Sequence, residues 1–219
     1  LSGDPRPGNA KFKKLTPVDE NSANPYTLTD DDRTVIGNTT PKFSGGFGLN
    51  ATFKGFDVSA FFNFMYDFDV FNANKVMMTT WASNNYNNFS MDISAAKRWR
   101  NFDDMGNEIR YSPEILAEFN KNATMWNPTS IGRPIAMSYA VEDGSFLRLN
   151  TATIGYTLPR AWTNKVGLSR VRFYASGYNL FTITGYSGYD PEVDIATGLT
   201  PNIDNNRYPR SRTYTFGVQ

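Results

Sequence analysis

The sequence predicts an all-β fold: long antiparallel strands of the kind that build a transmembrane β-barrel, with long loops gathered at one end. Three observations predict it. Residues 42–68 form a hairpin whose two arms alternate with period two. Downstream, short and long connections follow one another in turn. Aromatic residues make up 15% of the chain, with 17 Phe and 12 Tyr, while Cys and His are absent.

Along 42–53, Phe43, Phe47, Leu49, Ala51 and Phe53 alternate with Lys42, Ser44, Gly46, Gly48, Asn50 and Thr52. After a Lys54-Gly55 turn, Phe56, Val58, Ala60, Phe62, Phe64, Tyr66 and Phe68 alternate with Asp57, Ser59, Phe61, Asn63, Met65 and Asp67 over 56–68. Both arms exceed the usual length of a globular strand. A soluble sandwich strand also alternates, so the period alone leaves a carbohydrate-binding or adhesion sandwich open. Strand length, aromatics towards the strand ends and a Gly/Ser/Asn opposite face favour the barrel.

Around this hairpin the elements follow in order. Residues 1–39, rich in Pro, Asn, Asp and Thr, read as irregular loop. Residues 69–144 read as one long loop interrupted by a short helix over Ser112–Asn120, with Ser112 as N-cap and Pro113 at the first helical position. A third strand is expected at 146–158, with Ala152, Ile154, Tyr156 and Leu158 on one face and Thr151, Thr153, Gly155 and Thr157 on the other. A fourth is expected at 170–183 and a fifth at 207–219, separated by a Gly/Tyr/Asp/Pro-rich loop at 184–206. Connections that alternate between short and long place all short turns at one end of the sheet and all long loops at the other. A sandwich, with turns every 8–12 residues or so, does not accommodate 69–144.

Composition narrows the function classes. With 22 Lys+Arg against 21 Asp+Glu the net charge is +1, which carries no footprint for nucleic acid. Without Cys or His there are no disulfides, no thiolate or imidazole metal ligands and no His-dependent catalytic triad. No apolar run approaches the roughly 18 residues of a spanning helix. The first residues, Leu-Ser-Gly-Asp-Pro-Arg-Pro-Gly, lack the charged and apolar regions of a signal peptide. In an exported protein that pattern is expected of a chain that starts midway through something larger.

Several ordered segments carry a family resemblance: Asp32-Arg33-Thr34-Val35-Ile36-Gly37-Asn38, Pro41-Lys42-Phe43-Ser44-Gly45-Gly46-Phe47 and Lys54-Gly55-Phe56-Asp57-Val58-Ser59-Ala60-Phe61-Phe62, then Gly144-Ser145-Phe146-Leu147-Arg148-Leu149, Ile154-Gly155-Tyr156-Thr157-Leu158-Pro159 and Ser176-Gly177-Tyr178-Asn179-Leu180-Phe181-Thr182, and finally Gly188-Tyr189-Asp190-Pro191-Glu192 and Tyr208-Pro209-Arg210-Ser211-Arg212-Thr213-Tyr214-Thr215-Phe216-Gly217. Together they resemble the C-terminal region of SusC/RagA-type TonB-dependent outer-membrane transporters of Bacteroidetes. The resemblance implies the C-terminal five strands of a large antiparallel transmembrane β-barrel with long extracellular loops; plug domain and earlier strands lie upstream. It implies import of oligosaccharides or peptides across the outer membrane, a SusD-like surface lipoprotein as partner and the TonB complex acting through the missing N-terminal part. No cofactor and no enzymatic activity are expected. The chain departs from the family pattern in two places. Thr16–Tyr26 lacks the turn glycine of the family's EF-hand-like stretch, which leaves that calcium-binding pattern incomplete. The chain also stops at Gln219 rather than on a terminal aromatic, so an incomplete final strand is expected.

Individual sites are weighed against plainer readings. Asp30-Asp31-Asp32 offers carboxylate oxygens to a hard cation, although acidic loop triplets are ordinarily solvated. Asp190 and Glu192 resemble a glycosidase pair in type but not in setting, and the plainer reading is a turn and loop anchor at the barrel rim. Trp81, Tyr86, Trp99 and Trp126 in the long loop, and Tyr189 in the later one, are candidate cargo- or partner-binding residues, since exposed aromatics stack on sugar rings or anchor interfaces. Packing among themselves is the alternative.

Overall fold

A computed structural model describes residues 6–18, 20–23, 25–81, 88–132, 134–193 and 202–219. Two compact units divide the chain, one formed by Leu1–Ile36 with Ala73–Ala140 and the other by Gly37–Asn72 with Val141–Gln219.

The second unit holds the strands. In chain order they are β1 (Phe43–Phe53), β2 (Phe56–Tyr66), β3 (Asp69–Asn72), β4 (Val141–Asp143), β5 (Phe146–Thr157), β6 (Arg172–Thr184), β7 (Ile203–Asp204) and β8 (Thr213–Val218). The long strands make one antiparallel meander ordered β1-β2-β5-β6-β8. Lys54 and Gly55, at φ 47° and 90°, form a two-residue turn with both residues in the left-handed region, a turn whose twist matches the right-handed twist of the strands it joins. A Cβ at Gly55 would lie 2.9 Å from the Thr157 carbonyl, so the turn needs glycine for space as well as for φ.

Register gathers most of the apolar residues of the strands on one face. Phe47 lies opposite Phe62, Leu49 opposite Ala60 and Val58 opposite Ile154; Tyr156 pairs with Phe173 and Ala175 with Phe216. Phe47 and Phe62 stack at 5.0 Å between centroids. One irregularity is decisive for this continuity. Between Leu149 and Thr151 the ladder shifts, leaving Asn150 as an extra residue. Leu147 and Leu149 thereby face the same way as Ala152 and Ile154, although simple alternation would separate them.

Beyond β2 the chain turns into a smaller sheet, ordered β4-β3-β7, with β3 and β7 parallel. Phe68, Val70, Phe146, Tyr186 and Val193 form the buried core beneath it. Asn38 and Asp69 tie the entry to β1 onto β3 through Asp69 N–H to the Asn38 carbonyl at 2.7 Å and Asn38 N–H to the Asp69 carboxylate at 2.6 Å.

In the first unit, α1 (Ala73–Thr79) buries Val76 and Thr79. Helix α2 (Pro113–Asn120) starts at Pro113 as expected, but the Ser112 side chain makes no capping hydrogen bond. Buried Asn120 closes this region: its amide donates to the carbonyls of Arg100 and Leu116 at 2.9 Å each and its oxygen accepts from Arg100 N–H at 2.7 Å. The start of the chain joins the same unit, with Asn127 N–H donating to the Gly8 carbonyl at 2.8 Å.

Two expectations are corrected. Residues 69–144 are not one loop: 69–72 and 141–143 are strands of the smaller sheet, and 73–140 belongs to a folded unit with the N-terminal segment. The last strand covers Thr213–Val218 rather than 207–219, because Arg210 is drawn instead to the acidic residues of the preceding loop. The connection 158–171 contains a short helix, α3 (Arg160–Thr163), closed by Gly167 at φ 73°.

Candidate functional site

The main sheet has two chemically opposite faces. On the apolar face, Leu49 is 60% and Phe216 79% exposed, and Phe43, Phe53, Phe56, Val58, Ile154 and Phe173 are exposed as well. Monomeric soluble proteins rarely present a contiguous apolar surface of this extent. Across the sheet, the other face is built from polar contacts. Asp57 on β2 takes the Arg172 guanidinium of β6 across β5, with Arg172 Nε to the carboxylate at 2.9 Å. Gly155 lies between them, and a Cβ there would meet both partners at 2.5–2.7 Å. Thr153 and Ser176 share a hydroxyl hydrogen bond at 2.8 Å. Glycines recur beneath larger side chains here: Phe61 lies over Gly46 and Tyr174 over Gly217.

At the long-connection end, three of the sequence motifs meet. Arg148 of β5 is buried and bonds to Asp190, and its Nε faces the Glu192 carboxylate at 3.6 Å. Arg210 Nη2 donates to Glu192 at 2.7 Å, and the backbone N–H groups of Glu192 and Arg210 reach Asp190 at 3.0 and 3.4 Å. Burial alone would push the Asp190 carboxyl up. The Arg148 guanidinium and the two N–H groups outweigh it and hold Asp190 below the usual carboxylate range. Both carboxylates are thus engaged by arginines, which makes the pair the loop anchor of the plainer reading. Sequence reading named these acids but not Arg148 and Arg210, although both stand inside the quoted motifs.

A second buried contact holds the start of the same loop. Tyr186 O–H donates to Asp204 at 2.7 Å, and burial first, then this bond, raises its pKa far above the ordinary phenol value. Ser187 N–H and O–H both donate to Glu142 at 2.9 Å.

The three candidate tryptophans of the first unit have different surroundings. Trp81 is exposed and tilts against Phe89 at 5.7 Å. Trp99 is half-buried over Gly8 and donates to Asn101 at 3.2 Å. Trp126 packs edge-on to Tyr139 at 4.8 Å. Tyr86 lies outside the described residues. Tyr189 is 77% exposed beside the anchored acids. Among the described residues of the first unit, Met105, Val35, Tyr111 and Met91 are the most open apolar side chains, and Ile115 is about half exposed; none of them stands out in the sequence as part of an aromatic cluster.

Within Asp30–Asp32, Asp32 is fully engaged. It accepts from the N–H groups of Thr16 and Leu15 at 2.8 and 2.9 Å, the Thr16 hydroxyl at 2.8 Å, Thr29 N–H at 2.9 Å and Lys14 Nζ at 3.5 Å. The backbone N–H groups of Thr16 and Thr29 above all hold its carboxyl far below the usual range. Among the described residues no cluster of acidic side chains is arranged to hold a metal ion, and no helix is long and apolar enough to cross a membrane.

An antiparallel meander with one apolar and one polar face, open at both edges, has the make-up of a β-barrel wall. Comparison with known proteins names the family. The whole chain is similar to TonB-dependent receptor P3 of Formosa agariphila, 33% identical over 224 residues and spanning 19% of that protein. Over 67% of its length it is 31% identical to TonB-dependent receptor SusC of Bacteroides thetaiotaomicron, spanning 15% of it. Among solved structures, the RagAB peptide importer in its closed-closed state matches 88% of the chain with a TM-score of 0.65 at 24% identity, and its open-open state matches 90% with 0.61. The chain covers 19% of the matched chain in both. No family model matches. The chain belongs to the SusC/RagA family of TonB-dependent receptors, and it is much shorter than these relatives.

The anchor makes a testable demand in the full-length receptor. Arg148→Met leaves the partly buried Asp190 without its cation and Glu192 with Arg210 alone, and is expected to cost about 3 kcal/mol in urea unfolding, whereas Arg210→Gln, at a half-exposed site, should cost at most about 1 kcal/mol. Because Asp190 titrates below its unfolded value, its contribution is complete at neutral pH. It fades as pH falls past about 4 and is lost below the folded value. Asp190→Asn should flatten that acid limb of the stability profile and speed amide exchange at Glu192 and Arg210. An unchanged profile would remove the anchor role.

Proposed function

We propose that this chain is the C-terminal wall of an outer-membrane β-barrel in a SusC-like, TonB-dependent importer of oligosaccharides or peptides. The observation that carries the reading is the uncovered apolar face running across all strands of the main sheet opposite a hydrogen-bonded polar face. In lipid that face is solvated by acyl chains, and the polar face borders an aqueous lumen. A soluble sandwich would need a second layer over Phe47, Leu49 and Phe216. The open edges require strands from elsewhere in the receptor to pair with β1 and β8, so transport belongs to the whole receptor, including plug and upstream strands.

Membership of the family and the peptide importer among the similar structures support a nutrient cargo and a surface lipoprotein partner of the SusD type, with TonB acting from the opposite side. In this reading the Lys54-Gly55 turn and 158–171 are periplasmic. The long connections are extracellular. Trp81 and the open side chains Met105 and Tyr111 of the first unit, and separately Tyr189 of the second, are assigned to contacts with partner or cargo.

Three measurements in the full-length receptor test these assignments. Leu49→Arg and Phe216→Arg should each destabilise the membrane-inserted protein by about 2–4 kcal/mol if near the bilayer midplane, and Asn50→Arg far less; equal costs on both faces would defeat the barrel assignment. In intact cells an impermeant thiol reagent should label a Lys54→Cys variant poorly and an Asn122→Cys variant readily. The reverse pattern would invert the orientation. Finally, Trp81→Ala and Tyr111→Ala should leave barrel assembly intact while at least one weakens lipoprotein docking or uptake, and normal docking and uptake in both would remove this surface from the function.

A further inference from the structure

The short-connection end of the main sheet carries charge of one sign. Arg160, Lys165 and Arg170 lie in 158–171, and Lys54 lies in the hairpin turn that adjoins it through Thr157 N–H to the Gly55 carbonyl at 2.7 Å. All four are exposed. The nearby acid, Asp57 of β2, is hydrogen-bonded to Arg172, and Arg170 acts on it only at longer range. None of the four has an ion-pair partner among the described residues.

Apolar side chains stand among these cations. Trp162 is 61% and Val166 70% exposed, and Leu168 is exposed as well. They are held in place rather than dangling: Trp162 N–H donates to the Pro159 carbonyl at 2.9 Å, Leu168 N–H to the Thr163 carbonyl at 3.1 Å, and Thr163 is buried beneath them. The same end of the apolar face is lined by Phe53, Phe56, Phe173 and Val218, all exposed. An aqueous turn has no physical reason to expose a tryptophan and two aliphatic side chains beside unpaired cations. A membrane interface supplies both complements, phosphate for the cations and the headgroup–acyl boundary for the apolar groups.

We propose that this end of the sheet binds anionic phospholipid headgroups of the leaflet it borders, with Arg160, Lys165 and Arg170 on the phosphates and Trp162, Val166 and Leu168 seated at the acyl boundary. The inference rests on the barrel reading above and adds the lipid class and the residues that select it. Continuity between the cationic turn and the apolar face argues for a bilayer rather than a soluble anion.

The experiment uses the full-length receptor in phosphatidylethanolamine vesicles with a trace of spin-labelled phosphatidylglycerol or phosphatidylethanolamine, reading the motionally restricted fraction of each. The native receptor should favour phosphatidylglycerol, with a contribution on the order of fivefold for each cation engaged, and the preference should weaken at high salt. The triple variant Arg160→Gln, Lys165→Gln and Arg170→Gln should lose most of it. A preference unchanged in the triple variant, or no preference in a native receptor that has inserted, overturns the proposal and leaves the barrel reading standing. A native receptor that fails to insert overturns both, and gel mobility shifted by heating distinguishes the two failures.

Discussion

Backbone pairing in a sheet carries an obligation that side chains cannot discharge: every N–H and C=O at an edge needs a partner, and in a medium without water that partner must be another strand. Here the ladders from β1 to β8 satisfy the interior of the meander, and among the described residues the outer edges of β1 and β8 have no partner strand. The alternation of faces depends on the same ladders. Because the strands are in register, Phe47, Phe62, Val58, Ile154, Ala175 and Phe216 form one surface instead of scattered apolar spots.

Electrostatics then determines where the loops are held. The Arg148 guanidinium, drawn out of water by its place on β5, is compensated only because Asp190 and Glu192 come back to it from the following loop. Buried ion pairs contribute little net stability compared with apolar packing, but they discriminate strongly against any arrangement that leaves one partner alone. The arrangement therefore fixes the path of the chain more than it deepens the well, and it draws Arg210 away from extending β8.

Much of this was legible in the sequence, for physical reasons that differ by element. The hairpin was readable because its period is uninterrupted and its turn residues, Lys54-Gly55, suit a two-residue connection. Strand β5 was readable only in its second half, since the extra residue Asn150 changes the parity and alternation carries no signal for a bulge. The anchor was half visible: Asp190 and Glu192 drew attention as acids, whereas their partners lie 42 positions upstream of Asp190 and 18 downstream of Glu192 and become neighbours only through strand pairing. The tryptophans of 73–140 looked equivalent in sequence. In the fold Trp99 covers a glycine and Trp126 a tyrosine, leaving Trp81 in the open, because exposure within an irregular unit depends on contacts that have no local period.

The glycines on the polar face have a consequence for clearance. Arg172, Phe61 and Tyr174 do not stand upright from the sheet; each lies down across a residue without a side chain, Gly155, Gly46 or Gly217. The wall is therefore thin for its composition, little more than backbone with a coat of recumbent side chains. In a closed cylinder of such strands, every side chain laid flat returns its own length to the bore. Strand number would set the bore to first order, with glycine placement trimming it, and a single methyl group at Gly155 would push the Asp57–Arg172 pair off the backbone it now lies against.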